Sequence, residues 1–284
     1  MTCAWKELLS VLPLWMRKEV DQQGAETLLE LRLRINSPPE LVFREESRWM
    51  DQNITKEDLN YIVNTASRYS PWAAASVAQG YITIAGGHRI GLCGEGIIQN
   101  GVVVGMKHVT SLCIRVARDF PGLADCIPLQ CGSVLILGPP GWGKTTLLRD
   151  LIRRLEMTEK ICVVDERNEL FPEDFYRGRR IDVLSGCSKE KGIPMLLRAM
   201  GPSCIAVDEI TDPEDTASLI RASNCGVRLL ATAHATSVSD LRSRSVYRPL
   251  LENRIFDMVL MLKKDNAFTM ERMTEWGTSG LVQY

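Results

Sequence analysis

Apolar and polar positions follow two different rhythms along this chain. Up to about residue 120 the rhythm is mixed. An apolar stretch over 4–19 predicts a helix. "LRLRIN" (31–36), where Leu and Ile alternate with Arg and Asn, predicts a strand with one buried face. Thr55 offers an N-cap for a helix over "KEDLNYIVNTASRYS", and the glycine-punctuated run "YITIAGGHRIGLCGEGIIQNGVVVGM" predicts hairpin structure with a turn at Asn100-Gly101. "SLCIRVAR" closes the region as a further strand. The segment "DFPGLADCIPLQCG" carries the change of rhythm, which divides the chain into 1–125 and 126–284.

Beyond that point the apolar runs become continuous. "SVLIL" (133–137), "KICVVD" (160–165), "CIAVD" (204–208) and "VRLLAT" (227–232) have strand length, and helical segments such as "KTTLLRDLIRRLE" and "PEDTASLIRASN" lie between them. Strands that are apolar on both faces and alternate with helices predict an α/β fold with a parallel sheet covered by helices.

Bulk properties narrow the function. A charged fraction of 24% and a net charge of −1 give no global field to attract nucleic acid, and no direct nucleic-acid partner is expected. Nine cysteines lack any C-x-x-C pair, so they predict buried apolar residues in a reducing cytoplasm and neither a disulfide framework nor a zinc site. Lys6, Glu7 and Pro13 interrupt the apolar N-terminus, which is not expected to be a signal peptide. No run approaches the roughly 18 apolar residues of a membrane span, so a membrane role would be peripheral.

The chemistry concentrates in the second region. "GPPGWGKT" is a complete G-x-x-x-x-G-K-[ST] phosphate loop set between a predicted strand and a predicted helix. Gly138, Pro139, Pro140, Gly141, Trp142 and Gly143 would wrap ATP phosphates, the glycines letting backbone N–H groups turn inward, and Lys144, Thr145 and Thr146 would open the helix whose N-terminus faces them. Lys144 would reach the β and γ phosphates, and Thr145 would hold Mg²⁺. At the end of "CIAVDE", Asp208 would join the magnesium shell and Glu209 would orient and deprotonate the attacking water. A second acidic tip, "VVDERNEL", would bring Asp165 and Glu166 to the same sheet edge, either as nucleotide contacts or as a solvated loop salt-bridged through Arg167.

"DEITDPEDTASLIRASNCGVRLLATAHATS" resembles the ATPases of type II and type IV secretion systems, with a Walker B region followed by a Thr-x-His box, and "VVDERNEL" resembles their acidic box. "GPPGWGKTTLLRDLIR", "VVDERNEL" and "GGHRIGLCGEG" together resemble the stage III sporulation protein AA family, the cytoplasmic ATPase of the channel built between mother cell and forespore. The resemblance implies a RecA-like additional-strand P-loop NTPase domain preceded by a smaller N-terminal α/β domain. It also implies a homo-hexamer or other ring, docked at the cytoplasmic face of a membrane channel complex on the inner side of the mother-cell membrane. Asp208 stands where the secretion ATPases commonly carry Gly.

The resemblance also sets the role of His234. In that fold the strand after Walker B lies between the phosphate-loop and Walker B strands, which would bring His234 to the γ-phosphate; the alternative is a structural histidine capping Thr232 or Ser237. His88 and His108 are expected to have no catalytic role. An arginine usually balances transition-state charge at such a site, worth about 10³ to 10⁵ in rate. Arg89, Arg115 and Arg118 are the candidates, Arg115 foremost, and the "YRGRR" cluster reads as a solvated loop or subunit contact. Two other functions remain open: a nucleic-acid-associated ATPase related to those with a single-strand-binding module, and a scaffold that binds ATP without turnover.

Overall fold

The computed structural model describes residues 1–67, 77–78, 80–172, 175–263, 267–273 and 280–282. The chain forms two compact units, Met1–Asp119 with Pro172–Phe175, and Phe120–Phe171 with Tyr176–Tyr284. The change of unit comes at Phe120 instead of after residue 125. The reason is local: the backbone N–H groups of Gly122 and Ala124 donate to the Asp150 carboxylate at 3.1 and 2.8 Å, which ties this segment to the second unit.

In the first unit six strands form an antiparallel sheet: β1 (Glu30–Arg34), β2 (Glu40–Val42), β3 (Ser47–Trp49), β4 (Tyr81–Thr83), β5 (Arg89–Gln99) and β6 (Val102–Arg115). Their order is β3-β2-β1-β6-β5-β4. Leu31 and Leu33 of β1 point into the core while Glu30, Arg32 and Arg34 face outward, as the alternation requires. Helices cover the buried face, with Leu8, Leu12, Met16, Leu59 and Ile62 packed against Leu31, Leu33, Ile90 and Ile114.

The single helix expected over 4–19 is two, Trp5–Val11 and Leu14–Gln23. Pro13 is the cause, since it has no N–H to donate and it pushes Leu12 into an extended conformation. Thr55 caps the helix Lys56–Ser67 as expected: its Oγ1 accepts from the Asp58 N–H, and Asp58 accepts from the Thr55 N–H. Residues 68–70 of that expected helix lie outside the described residues. Asn100 and Gly101 both take positive φ at the β5–β6 turn, 51° and 78°, which suits a tight hairpin.

The second unit contains β7 (Val134–Leu137), β8 (Ile161–Asp165), β9 (Ile181–Ser185), β10 (Cys204–Val207), β11 (Arg228–Ala233), β12 (Met258–Leu262), β13 (Phe268–Arg272) and β14 (Gly280–Val282). The order is β14-β13-β12-β7-β11-β10-β8-β9, parallel from β12 to β9, with antiparallel β13 and β14. Alternate residues of each inner strand feed opposite cores. Val134 and Ile136 join one with the helix Lys144–Leu155, and Leu135 and Leu137 join the other with the helices Lys189–Ala199 and Pro213–Asn224. This three-layer arrangement is the RecA-like P-loop fold, with β11 inserted between β7 and β10. It aligns the C-terminal tips of β7, β11, β10 and β8 along one edge, where ligands bind in open α/β sheets.

All nine cysteines are free thiols, but only Cys131, Cys162 and Cys204 are buried. The remaining six are exposed or half-buried, so most do not act as core residues. No helix among the described residues is long and apolar enough to cross a membrane.

Candidate functional site

Four strand tips build one polar cluster at this edge. After β7 the chain turns through Gly138–Gly143, with Gly141 at φ 76° and Gly143 at φ 87°. Those left-handed conformations suit glycine and let the backbone curl before the helix begins at Lys144. No side chain caps that helix, so its first N–H groups are left for another acceptor. Gly138 is also a close approach: a β-carbon there would lie 3.1 Å from Leu262 Cβ. Trp142 is partly buried and packs on the core.

Lys144 is buried, and its ammonium donates to the Pro139 carbonyl at 3.0 Å and to His234 Nδ1 at 2.9 Å. Burial lowers its pKa, opposed by the negative charges of Asp208 and Glu209. Because an ammonium only donates, His234 Nδ1 is the acceptor, and the Nε2–H therefore donates to Glu209 Oε1 at 2.6 Å. His234 thus bridges the lysine and the glutamate. It caps neither Thr232 nor Ser237: Ser237 accepts from the Asp240 N–H, and Thr232 is committed elsewhere.

Asp208 sits between two hydroxyls. Thr145 Oγ1 donates to its Oδ2 at 2.7 Å, and Thr232 Oγ1 donates to its Oδ1 at 2.6 Å. The Thr232 hydroxyl in turn accepts the Glu209 N–H at 2.8 Å. That bond anchors a strained residue, for Glu209 has φ 47°.

The acidic loop after β8 departs from expectation. The Asp165 carboxylate accepts the N–H groups of Glu169, Leu170 and Phe171 at 2.9–3.0 Å. It organises its own loop. Burial raises its pKa, the three donors lower it, and the charge of Asp208 adds to the rise. Glu166 is likewise engaged, by the buried Lys189 at 2.7 Å, which also lies 3.5 Å from Asp215. Both carboxylates expected at the nucleotide are thus engaged within the chain itself.

Arg167, expected to pair with the acids of its own loop, reaches further. Its Nη1 donates to Glu209 Oε2 at 2.5 Å, and it pairs with none of its acidic neighbours. Thr232, read in the sequence only as a partner for His234, joins Asp208 and Glu209 instead, and Lys189 and Asp215 were missed because the helices Lys189–Ala199 and Pro213–Asn224 bring them together.

The arginines of the first unit are occupied to different degrees. Arg118 donates to the carbonyls of Ala25 and Leu28, which makes it a structural residue and removes it as a finger candidate. Arg89 stacks on Tyr81 at 3.8 Å. Arg115 is 62% exposed, and its ion pair among the described residues is a long one with Glu30, 3.5 Å.

The arrangement offers helix N-terminal amides without a side-chain cap, a buried ammonium, a hydroxyl–carboxylate pair and a carboxylate held between two donors. Magnesium favours hard oxygen ligands and is usually held by one or two protein oxygens plus phosphates, and Thr145 Oγ1 with Asp208 Oδ2 fit that requirement.

The family model described as "Sporulation stage III, protein AA" matches residues 5–272. Stage III sporulation protein AA of Bacillus subtilis (strain 168) is 38% identical over 279 residues, which covers 91% of each chain. Among solved structures, the Legionella pneumophila ATPase DotB superposes with a TM-score of 0.60 at 17% identity, over 93% of this chain and 82% of that one. The pilus retraction motor PilT, crystallised with bound ADP, gives a TM-score of 0.59 at 16% identity, over 93% and 79%. At such identities the two structures attest the fold alone.

Proposed function

We propose, from the premise that this chain belongs to the stage III sporulation protein AA family, that it hydrolyses Mg-ATP at the cluster on the β7–β11–β10 edge. The observation that carries this reading is the chain Lys144–His234–Glu209 lying beside the Thr145–Asp208 pair. A phosphate lysine, a metal-suited oxygen pair and a carboxylate base are thereby gathered on adjacent strand tips.

Backbone amides of the loop and helix N-terminus bind the phosphates, and Lys144 exchanges His234 for phosphate oxygen. Thr145 and Asp208 would hold magnesium, which when bound neutralises phosphate charge. Glu209 orients a water and takes its proton as the water oxygen bonds to the γ-phosphorus. The bond to the β–γ bridging oxygen breaks, and ADP leaves with that electron pair. His234 keeps Glu209 in place through its Nε2–H. Burial of the cluster strengthens each charge-assisted bond relative to water.

Turnover of this kind would energise assembly of, or transport through, a secretion-like channel during endospore formation. The chain would act as a hexamer or other ring at the cytoplasmic face of the channel's membrane.

A thermal-shift titration together with phosphate release from Mg-ATP tests the assignment. Wild type at about 100 times its dissociation constant should gain roughly 2.7 kcal/mol, and Lys144→Ala should lose both the shift and the turnover. Equal shifts in the two proteins would overturn the site.

A further inference from the structure

The loop after β8 is built to deliver one cation. Asp165 gathers three consecutive N–H groups, Asn168 adopts a left-handed φ of 55°, and Glu166 is anchored on the buried Lys189. Between these fixed points Arg167 projects to Glu209. The Glu209 carboxylate then accepts from His234 on one oxygen and from Arg167 on the other, so neither oxygen is free of a donor. Arg167 is half exposed, at 48%, and among the described residues its only hydrogen bond is this one. A guanidinium has five N–H donors in a fixed fork, so most of its capacity is unused.

We propose that Arg167 is a phosphate-responsive latch on Glu209: with no triphosphate it holds the carboxylate, and the γ-phosphate draws it off and frees Glu209 for water. This rests on the hydrolytic reading above. The direction of exchange follows from charge. A terminal phosphate carries more negative charge than a carboxylate and matches the guanidinium fork in two-point contact. The distance is short, because His234 alone separates Lys144, a phosphate ligand, from Glu209. ADP has no γ-phosphate and leaves the latch closed, so the base is released only when there is a bond to break.

The test measures affinities for Mg-ADP and for Mg-AMPPNP, a non-hydrolysable ATP analogue, alongside kcat and KM for ATP. Arg167→Ala should leave ADP affinity within about twofold while AMPPNP affinity falls roughly tenfold. Arg167→Lys, which keeps the charge but not the fork, should recover part of the difference. Glu209→Gln should raise AMPPNP affinity more when Arg167 is present than in the Arg167→Ala background, since only then is a competing partner removed. Equal changes for the two nucleotides, no change for either, or the same gain from Glu209→Gln in both backgrounds would overturn the latch. These affinities do not depend on turnover, so a wild type that binds both nucleotides without hydrolysing ATP would refute the hydrolytic reading and leave the Arg167 result separately readable. If Arg167→Ala does not fold, the AMPPNP-to-ADP ratio of Arg167→Lys decides: a reduced ratio supports the proposal and a wild-type ratio overturns it.

Discussion

Glu209 has a left-handed backbone, φ 47°, in which a β-carbon is crowded, and Thr232 is the residue that holds it there. The Thr232 hydroxyl is fully buried and serves two masters, accepting the Glu209 N–H and donating to Asp208. Thr232→Val keeps the shape and removes both bonds. An unsatisfied buried group costs about 1–3 kcal/mol, and about 2–4 °C of melting temperature accompanies each kcal/mol in a domain of this size. Turnover should fall with it and return in Thr232→Ser. A valine variant that melts lower yet hydrolyses ATP at the wild-type rate would show that the bond stabilises the fold and does not position the base. Lys144, Thr145, Asp208 and Glu209 were legible in the sequence because each belongs to a motif whose members are local. Arg167 was not, because three acids flank it and local pairing looks sufficient. Its true partner stands 42 residues away and is reached only through the order β10-β8.

At the scale of elements, strands buried on both faces were the easiest to foresee. β7, β8 and β10 lie within the expected runs and β11 overruns its run by one residue, Ala233, since burial on both sides demands continuous apolar residues. β2, β3, β9, β12, β13 and β14 were not foreseen, although β12 is buried at four of its five positions. β3 is exposed at every position and β9 has one buried residue of five, so pairing and not patterning makes them strands. His88 ties elements of the first unit together: its Nε2–H donates to the Ala4 carbonyl at 2.9 Å, and its Nδ1 accepts the Ala117 N–H at 3.0 Å. The bond from Ala117 needs the neutral ring, since a protonated Nδ1 cannot accept, whereas the bond to Ala4 survives protonation. Burial holds its pKa below 6.5, with the nearby charge of Arg118 acting in the same direction against the bond to Ala4. Because the folded value is depressed, this contribution is complete above about pH 6.5 and is lost as pH falls toward the folded value. Melting curves from pH 7.5 to 5.5 should decline with a slope of up to about 1.4 kcal/mol per pH unit. His88→Gln should flatten that decline, and an unchanged slope in the variant would assign it to other groups.

At the scale of the molecule the question is whether one chain completes its own site. Arg115 belongs to the first unit, is mostly exposed and holds Glu30 only loosely, which leaves it able to reach a neighbouring copy in a ring. If it does so, mixing Arg115→Ala with Lys144→Ala subunits should restore part of the activity that each lacks alone. The restored rate should rise with protein concentration. Co-assembled mixtures that stay inactive would exclude a shared site and leave Arg167 as the arginine closest to the base.

In the proposed hydrolysis Glu209 removes the proton from water while the rest of the cluster binds nucleotide. The most direct measurement of that division is the identity of the nucleotide recovered, after acid quench and chromatography, from wild type and from Glu209→Gln incubated with Mg-ATP. Wild type should yield ADP, and the variant should retain intact ATP with its hydrolysis slowed by about 10² to 10⁴. ADP recovered from both at the same rate would contradict the assignment of Glu209, and intact ATP recovered from both would mean that the chain binds ATP without hydrolysing it.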